Sequence, residues 1–253
     1  MTRRAALTGL GASGLMLAGC EKLSESPSFV KLLAAAEDVN HKGQRLILTS
    51  TGPLAREFSE SDITANFKAN GTTRPTSPEY QALAMTDFAD WRWRIDGLVM
   101  HPLELSLDDI RAMPSRTQIT RHDCVEGWSA IGKWKGAPLA RVLEMAGLKD
   151  DARYIVFHCA DNLDGGANRN GDYYESIDLV DAFHPQTILA YEMNDKVLPV
   201  NHGAPLRVRV ERQLGYKMAK YIMRIEAVDS FASLHAGNGG YWEDRGYEWY
   251  AGI

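Results

Sequence analysis

Apolar and polar residues change their spacing several times along the chain, and each change predicts an element. Phe29, Leu32, Leu33 and Ala36 recur at helical spacing behind Ser26 and Pro27, a cap and first turn, and Gly43 is expected to end that helix. Residues 50–80 lack periodicity and carry Pro53, Gly71, Pro75 and Pro78, which predicts a long loop wrapped over a domain. Trp91-Arg92-Trp93-Arg94-Ile95 alternates apolar and charged residues before Asp96-Gly97. This is the pattern of a half-buried strand entering a turn, with its tryptophans in the core.

Short helices and strands follow. Ser106 with Asp109 forms a capping box ahead of a helix through Ala112 that Pro114 stops. Pro138 opens a second, in which Leu139, Val142, Leu143 and Ala146 share a face before Gly147. Residues 117–121, 154–159, 187–193 and 206–210 are rich in β-branched or aromatic side chains and read as strands, with Asn194-Asp195 and His202-Gly203 as turns. Strands and helices mix without βαβ alternation, so the expected class is α+β. Beyond the first twenty residues no Gly-rich phosphate loop of the GxGxxG type precedes a helix, which removes the usual argument for a nicotinamide or flavin fold.

Composition adds limits. The chain has 253 residues, 45% of them hydrophobic, enough for a sizeable core. Its net charge of -5 gives no general basic field, so nucleic acid is not an expected partner and any anion site must be local. The first 19 residues read as an export signal, with Arg3 and Arg4 ahead of a small-residue apolar run. Thr2-Arg3-Arg4 with Leu7 resembles a twin-arginine signal and Leu17-Ala18-Gly19-Cys20 a lipobox, which implies a lipid anchor at Cys20 on the periplasmic side of the envelope; an ordinary lipoprotein secretion signal is the alternative. Residues 20–65 read as tether and wrapping segment, and 66–253 as the functional domain. The twin-arginine route carries folded proteins, commonly with a cofactor inserted, so a cofactor is expected.

Of three cysteines, removing Cys20 leaves Cys124 and Cys159. In an oxidising compartment an even pair first suggests a disulfide. Cys124 follows a strand and stands among His122, Asp123 and Glu126, where a thiolate could bind a soft metal. Zinc held by His122, Cys124, His158 and Cys159 is a rival, although adjacent strand residues such as His158 and Cys159 point to opposite faces. Further on, Arg207, Arg209, Arg212, Lys217, Lys220 and Arg224 gather within residues 201–224 and suggest a phosphate or oxyanion site, the other reading being a solvated strand face.

Several segments in order carry a resemblance. Arg121-His122-Asp123-Cys124 with Glu126-Gly127-Trp128 and Lys135-Gly136-Ala137-Pro138-Leu139, then Tyr173-Tyr174-Glu175-Ser176-Ile177 with 189–194, then His202-Gly203-Ala204-Pro205-Leu206-Arg207 and Gly215-Tyr216-Lys217-Met218-Ala219-Lys220, together resemble the molybdenum-pyranopterin domain of the sulfite oxidase and protein-methionine-sulfoxide reductase superfamily. The resemblance runs from about Phe67 to Ile253 and implies a mixed, barrel-like β core with short surrounding helices. It makes Cys124 the metal thiolate. It makes His202, Arg207, Lys217, Met218, Ala219 and Lys220 pterin-binding, Cys159 a cofactor contact, and Asn70 a weaker match to a cofactor-binding asparagine. Tyr173 is expected to hydrogen-bond the substrate or the transferred oxygen, with Tyr174 as the fallback.

The implied activity is molybdopterin-dependent two-electron oxygen-atom transfer at a sulfur centre, the alternative being reduction of methionine sulfoxide in envelope proteins. A non-catalytic zinc- or disulfide-stabilised lipoprotein is the reading of another class. The implied partners are a small oxyanion or sulfoxide substrate and an external redox protein, a cytochrome or quinol-linked membrane protein, since no Cys-x-x-Cys-His haem motif occurs; the chain is expected to be a monomer. Val125-Glu126-Gly127-Trp128 stands where sulfite oxidases place an arginine-rich pocket, which argues against sulfite. The aromatic segment 239–250 reads as a partner surface, a substrate funnel or a packed lid.

Overall fold

Gly43 does not end the first helix, which runs through it as α1 (Pro27–Ile47). A glycine inside a helix costs only about 1 kcal/mol against alanine. Here the Gln44 amide donates to Asn40 and Arg45 donates to His41, two pairs that straddle the glycine. The structure is a computed structural model describing residues 26–47, 52, 54–165 and 171–253, so the export and lipidation motifs lie outside the described residues. The chain divides into two units, Met1–Leu48, to which α1 belongs, and Thr49–Ile253, which holds all that follows. Among the described residues no helix is long and apolar enough to cross a membrane.

The second unit builds two sheets. In the first, the order is β2 (Leu103–Ser106), β1 (Arg92–Gly97), β10 (Ile222–Val228), β5 (Tyr154–Asn162), β6 (Asp172–Asp178), with only β1 and β10 parallel. In the second, β3 (Arg116–Cys124), β4 (Trp128–Pro138), β7 (Ile188–Met193) and β8 (Lys196–Val197) lie in sequence and antiparallel, and β9 (Arg207–Arg209) also pairs with β7. The class is α+β, as expected. Strand β1 shows the predicted alternation, with Trp93 and Ile95 inside and Arg94 outside on Asp96.

One core joins the sheets to the helices. It takes Ile95 and Phe157 from the first sheet, Leu189 and Val208 from the second, Tyr80 from α2 (Pro78–Met85), Leu107 and Ile110 from α3 (Leu107–Ala112), and four apolar residues from α4 (Leu139–Ala146). Ser106 caps α3 with its reciprocal Asp109 bond, and Gly147 closes α4 with a φ of 65°. The wrapping segment is fastened to the second sheet rather than loose. Phe58 donates its amide to Ile119, Thr64 to Ile131, and the Gln186 side chain brackets both backbone groups of Ala55.

Strand β4 is not among the strands expected from the sequence, and its Gly136 is required by packing: a Cβ there would lie 2.1 Å from the Leu189 carbonyl oxygen of β7. Because β4 returns along β3 with Cys124 opposite Trp128, the cysteine sits at the mouth of a hairpin turned by Val125, Glu126 and Gly127, and the helix opened by Pro138 follows only after that second strand.

Candidate functional site

The end of that hairpin faces a cleft enclosing about 650 Å³, part of it open to solvent. Cys124, Val125 and Glu126 form one edge, Asn70, Gly71 and Thr72 another. Asp161 and Leu163 come from the end of β5, Tyr173 from β6, and Tyr216, Met218 and Lys220 from the basic segment, while Trp242 and Tyr247 close the remaining side. Segments far apart in sequence therefore meet at one thiol.

Beside the cleft lies a buried group of cations. Arg207 is fully buried, and one terminal nitrogen donates to the His202 carbonyl at 2.9 Å. Its Nε and other terminal nitrogen have no partner. Burial and the neighbouring Arg209 pull its pKa down from 12.5 to about 9. Burial, with Arg207 and Lys220 alongside, lowers His202 to about 4, and its Nδ1 is also unpartnered. Lys220 falls to about 7 for the same reasons, burial first and Arg207 second. Arg209 differs from Arg207: Glu211 grips it with two bonds of 2.9 and 2.8 Å, so its charge is already answered. An aromatic floor carries both guanidiniums, which lie 4.9 and 4.4 Å from the Trp134 ring.

Lys220 also ties the cleft together. Its ammonium donates to the Asn70 carbonyl at 2.6 Å and to the Thr72 carbonyl, and the Thr72 hydroxyl donates to Asp161 at 2.7 Å. Burial raises Asp161 to about 6, against the pull of the Thr72 bond, and its Oδ1 is unpartnered. Asn70 Oδ1 is buried without a partner as well. Gly203 and Gly215 allow these segments to approach closely. A Cβ on Gly203, where φ is 113°, would stand 2.9 Å from Lys220, and one on Gly215 would stand 2.4 Å from the His122 ring.

Other expected residues fall elsewhere. Lys217 is turned away from the cleft and buried between Glu175 and Glu243, 2.5 Å from each, and these two carboxylates supply the pairing that a buried ammonium requires. Tyr174 points to the opposite face of β6 from Tyr173, donating to Asp244 at 2.6 Å and stacking on His235. Tyr173 lines the cleft, but its hydroxyl donates to the Tyr216 carbonyl at 2.6 Å. Cys159 packs against the core outside the cleft lining, and Ala219 is buried in the core. Burial raises both cysteine thiols, and both are free, so no disulfide joins them. His158 is paired with Glu226 at 2.9 Å, and among the described residues no group of three or more His, Cys, Asp or Glu is placed to hold a metal, so the four-ligand zinc site does not form.

Sequence reasoning missed Thr72, Asp161, Leu163 and Tyr216 as lining residues. Two of these had a signal: Asp161 stands two residues beyond Cys159 on one strand, and Tyr216 lies inside the Gly215–Lys220 motif. Glu126 carries no role in the sequence reading beyond its place in a motif, yet it lines the cleft, accepting from Lys68 at 3.0 Å and from the Trp128 indole at 2.9 Å.

The family model described as the oxidoreductase molybdopterin binding domain matches residues 80–235. The chain belongs to this family. Among relatives of this molybdopterin oxidoreductase, a putative protein-methionine-sulfoxide reductase subunit, YedZ1, of Azospira oryzae is 37% identical over 94% of this chain and 82% of its own length. The protein-methionine-sulfoxide reductase catalytic subunit MsrP of Campylobacter jejuni is 32% identical over 83% of this chain and 76% of its own length. The MsrP of Ralstonia nicotianae is 35% identical over 68% of this chain, which spans about half, 53%, of that relative. The sulfane dehydrogenase SoxCD from Paracoccus pantotrophus is a solved structure matched over 56% of this chain and 39% of its own, at 24% identity and a TM-score of 0.49.

The family's cofactor is molybdopterin carrying molybdenum, and the residues present fit it. A phosphate-bearing pterin needs buried donors without counter-ions, which Arg207 and His202 leave beside the cleft, an acceptor for its ring N–H groups, which Asn70 Oδ1 leaves in the cleft wall, and one thiolate, which Cys124 provides.

Proposed function

We propose that this molybdopterin oxidoreductase is a protein-methionine-sulfoxide reductase, working in the reductive direction on oxidised methionine side chains of proteins in the cell envelope. The observation that carries the reading is the 37% identity across 94% of the chain to a relative bearing that name, joined by two MsrP catalytic subunits. The cleft supports it. Among the described residues its lining holds one cation, Lys220, whose ammonium is already shared between backbone carbonyls, against two carboxyl groups, Glu126 and Asp161. Such a lining favours a neutral sulfoxide over a dianion such as sulfite.

In the reaction the sulfoxide takes up two electrons and two protons and yields a thioether and water. When bound, the cofactor supplies the two-electron oxygen-atom chemistry. This chain's residues do the rest. Cys124 would hold the metal from the hairpin end, Arg207 and His202 with their unpartnered nitrogens and Asn70 with its free Oδ1 would hold the pterin and its phosphate, and Lys220 keeps the 70–72 loop in place beside them. Asp161, with a pKa of about 6 and a free Oδ1, is the carboxyl in the cleft suited to hold a proton near neutrality. Tyr173 keeps the Tyr216 backbone in place through its hydroxyl. Electrons come from an external redox partner, and the Arg3-Arg4 and Cys20 motifs support export and a lipid anchor facing the periplasm.

The test is turnover of methionine sulfoxide, free and within an oxidised protein, by molybdenum-loaded enzyme with a reduced viologen dye as electron source. Turnover that disappears in Cys124→Ser is expected. Sulfite oxidation without sulfoxide reduction would sink the reductive reading.

A further inference from the structure

The cleft is chemically two-sided. Asn70, Thr72, Asp161 and Lys220 make one side polar and tie it to the buried cations; Tyr216, Trp242 and Tyr247 make the other side aromatic. These three rings touch in a row, Tyr216 and Tyr247 with centroids 5.4 Å apart and edge-on, Tyr247 and Trp242 at 5.2 Å. Tyr216 gives its hydroxyl proton to the Glu248 carbonyl at 2.6 Å, so its polar end is already engaged. What it offers the cleft is ring surface.

This wall is held firmly for a feature at a protein surface. Trp242 precedes Glu243, Tyr216 precedes Lys217, and Glu243, Lys217 and Glu175 form the buried ionic triad. The backbone of Tyr241 donates to Tyr174, and the Tyr247 amide donates to the Trp242 carbonyl at 3.1 Å. Arg245 lies 3.6 Å from the Tyr241 ring centroid and pairs with Asp164. A Cβ on Gly240 would stand 2.0 Å from a Glu243 oxygen and 2.8 Å from a Glu175 oxygen, so a side chain there would displace the triad's carboxylates. Rings fixed in advance bind without an ordering cost.

We propose that Tyr216, Trp242 and Tyr247 are the specificity-determining residues, a corner of aromatic rings that receives the S-methyl group and thioether stem of an oxidised methionine side chain. The inference rests on the reductase reading and deepens it. A sulfoxide has a polarisable sulfur and apolar carbons on one side and a single oxygen on the other. Sulfur–aromatic contacts are worth about threefold in affinity each, and the rings would orient the carbons so that the oxygen faces the polar half of the cleft. Removing two such interactions at once costs roughly tenfold in affinity.

The experiment uses the molybdenum-loaded full chain as wild type, Trp242→Ala, Trp242→Phe and Tyr247→Ala, with metal content measured for each. KM for methionine sulfoxide should rise about threefold in Trp242→Ala, by a larger factor than kcat falls, and Trp242→Phe should restore most of it. Intrinsic fluorescence titrated with methionine sulfone, which the enzyme need not turn over, should saturate in wild type and show weaker binding in both alanine variants. Wild-type turnover with unchanged KM and unchanged sulfone affinity in Trp242→Ala and Tyr247→Ala would overturn the aromatic corner and leave the reductase reading standing. Absence of sulfoxide turnover by wild type would sink the reductase reading instead; sulfone binding lost in the variants would then still support the corner, and its absence in wild type would overturn it.

Discussion

Replacing Arg207 with methionine should make the cofactor-free protein more stable while impairing its cofactor binding. The reasoning starts from the unanswered charge. A fully buried guanidinium whose pKa falls from 12.5 to about 9 carries an unfavourable ~5 kcal/mol in its charged form. Against this stand the bond to the His202 carbonyl, about 2 kcal/mol for a charged donor, and the contact with Trp134, about 1–2 kcal/mol. Methionine has a similar unbranched reach and needs no partner, so a net gain of about 1–2 kcal/mol is expected, a rise in Tm of roughly 2–8 °C for a domain of this size. The assay is thermal melting of apoprotein made in cells unable to synthesise the cofactor. Inorganic pyrophosphate at ten times its Kd should stabilise wild type by about 1.4 kcal/mol and the variant by less. Molybdenum content from cofactor-competent cells should fall in the variant. An Arg207→Met apoprotein that melts below wild type, or that responds equally to pyrophosphate, would show that this guanidinium is not waiting for an anion.

Two further outcomes follow from the same region. Gly215→Ala places a methyl 2.4 Å from a His122 ring that Phe67 and Trp128 already flank, so it should cost about 1–3 kcal/mol in a denaturant titration; a neutral result would mean that the ring has room to move. Because His202 titrates near 4 when folded and near 6.5 when unfolded, the unfolded chain binds the extra proton between those values. The apoprotein therefore loses up to about 3 kcal/mol of stability on this account as pH falls from 6.5 to 4. Asp161, raised to about 6, acts in the opposite direction, so the comparison must be between wild type and His202→Gln; equal losses in both would refute the assignment.

Much of the frame was legible because its signals are local. The Ser106–Asp109 box, the alternation in β1 and the Gly147 stop each depend on neighbours within a few residues, and each holds. Gly43 shows where local reading fails: the helix passes over it with pairs on both sides. Gly136 in β4 answers to a distant segment instead, because the β7 backbone approaches it. The site divides in the same way. Cys124 and the basic segment could be picked out as motifs, but nothing near Lys217 or Lys220 in sequence says which enters the cleft. That is decided by Glu175 and Glu243 for one and by the 70–72 loop for the other.

Those two lysines, three positions apart, fasten different halves of one cleft. Lys220 ties the polar half, and Lys217 ties the aromatic half, with Met218 of the cleft lining between them. The halves are thus separable units of change. A lineage could exchange the rings at 241–247 for other side chains, and so alter what the enzyme accepts, without disturbing the cradle that makes it an oxidoreductase. The ammonium of Lys217 is the fixed mount on which such replacements would be tried.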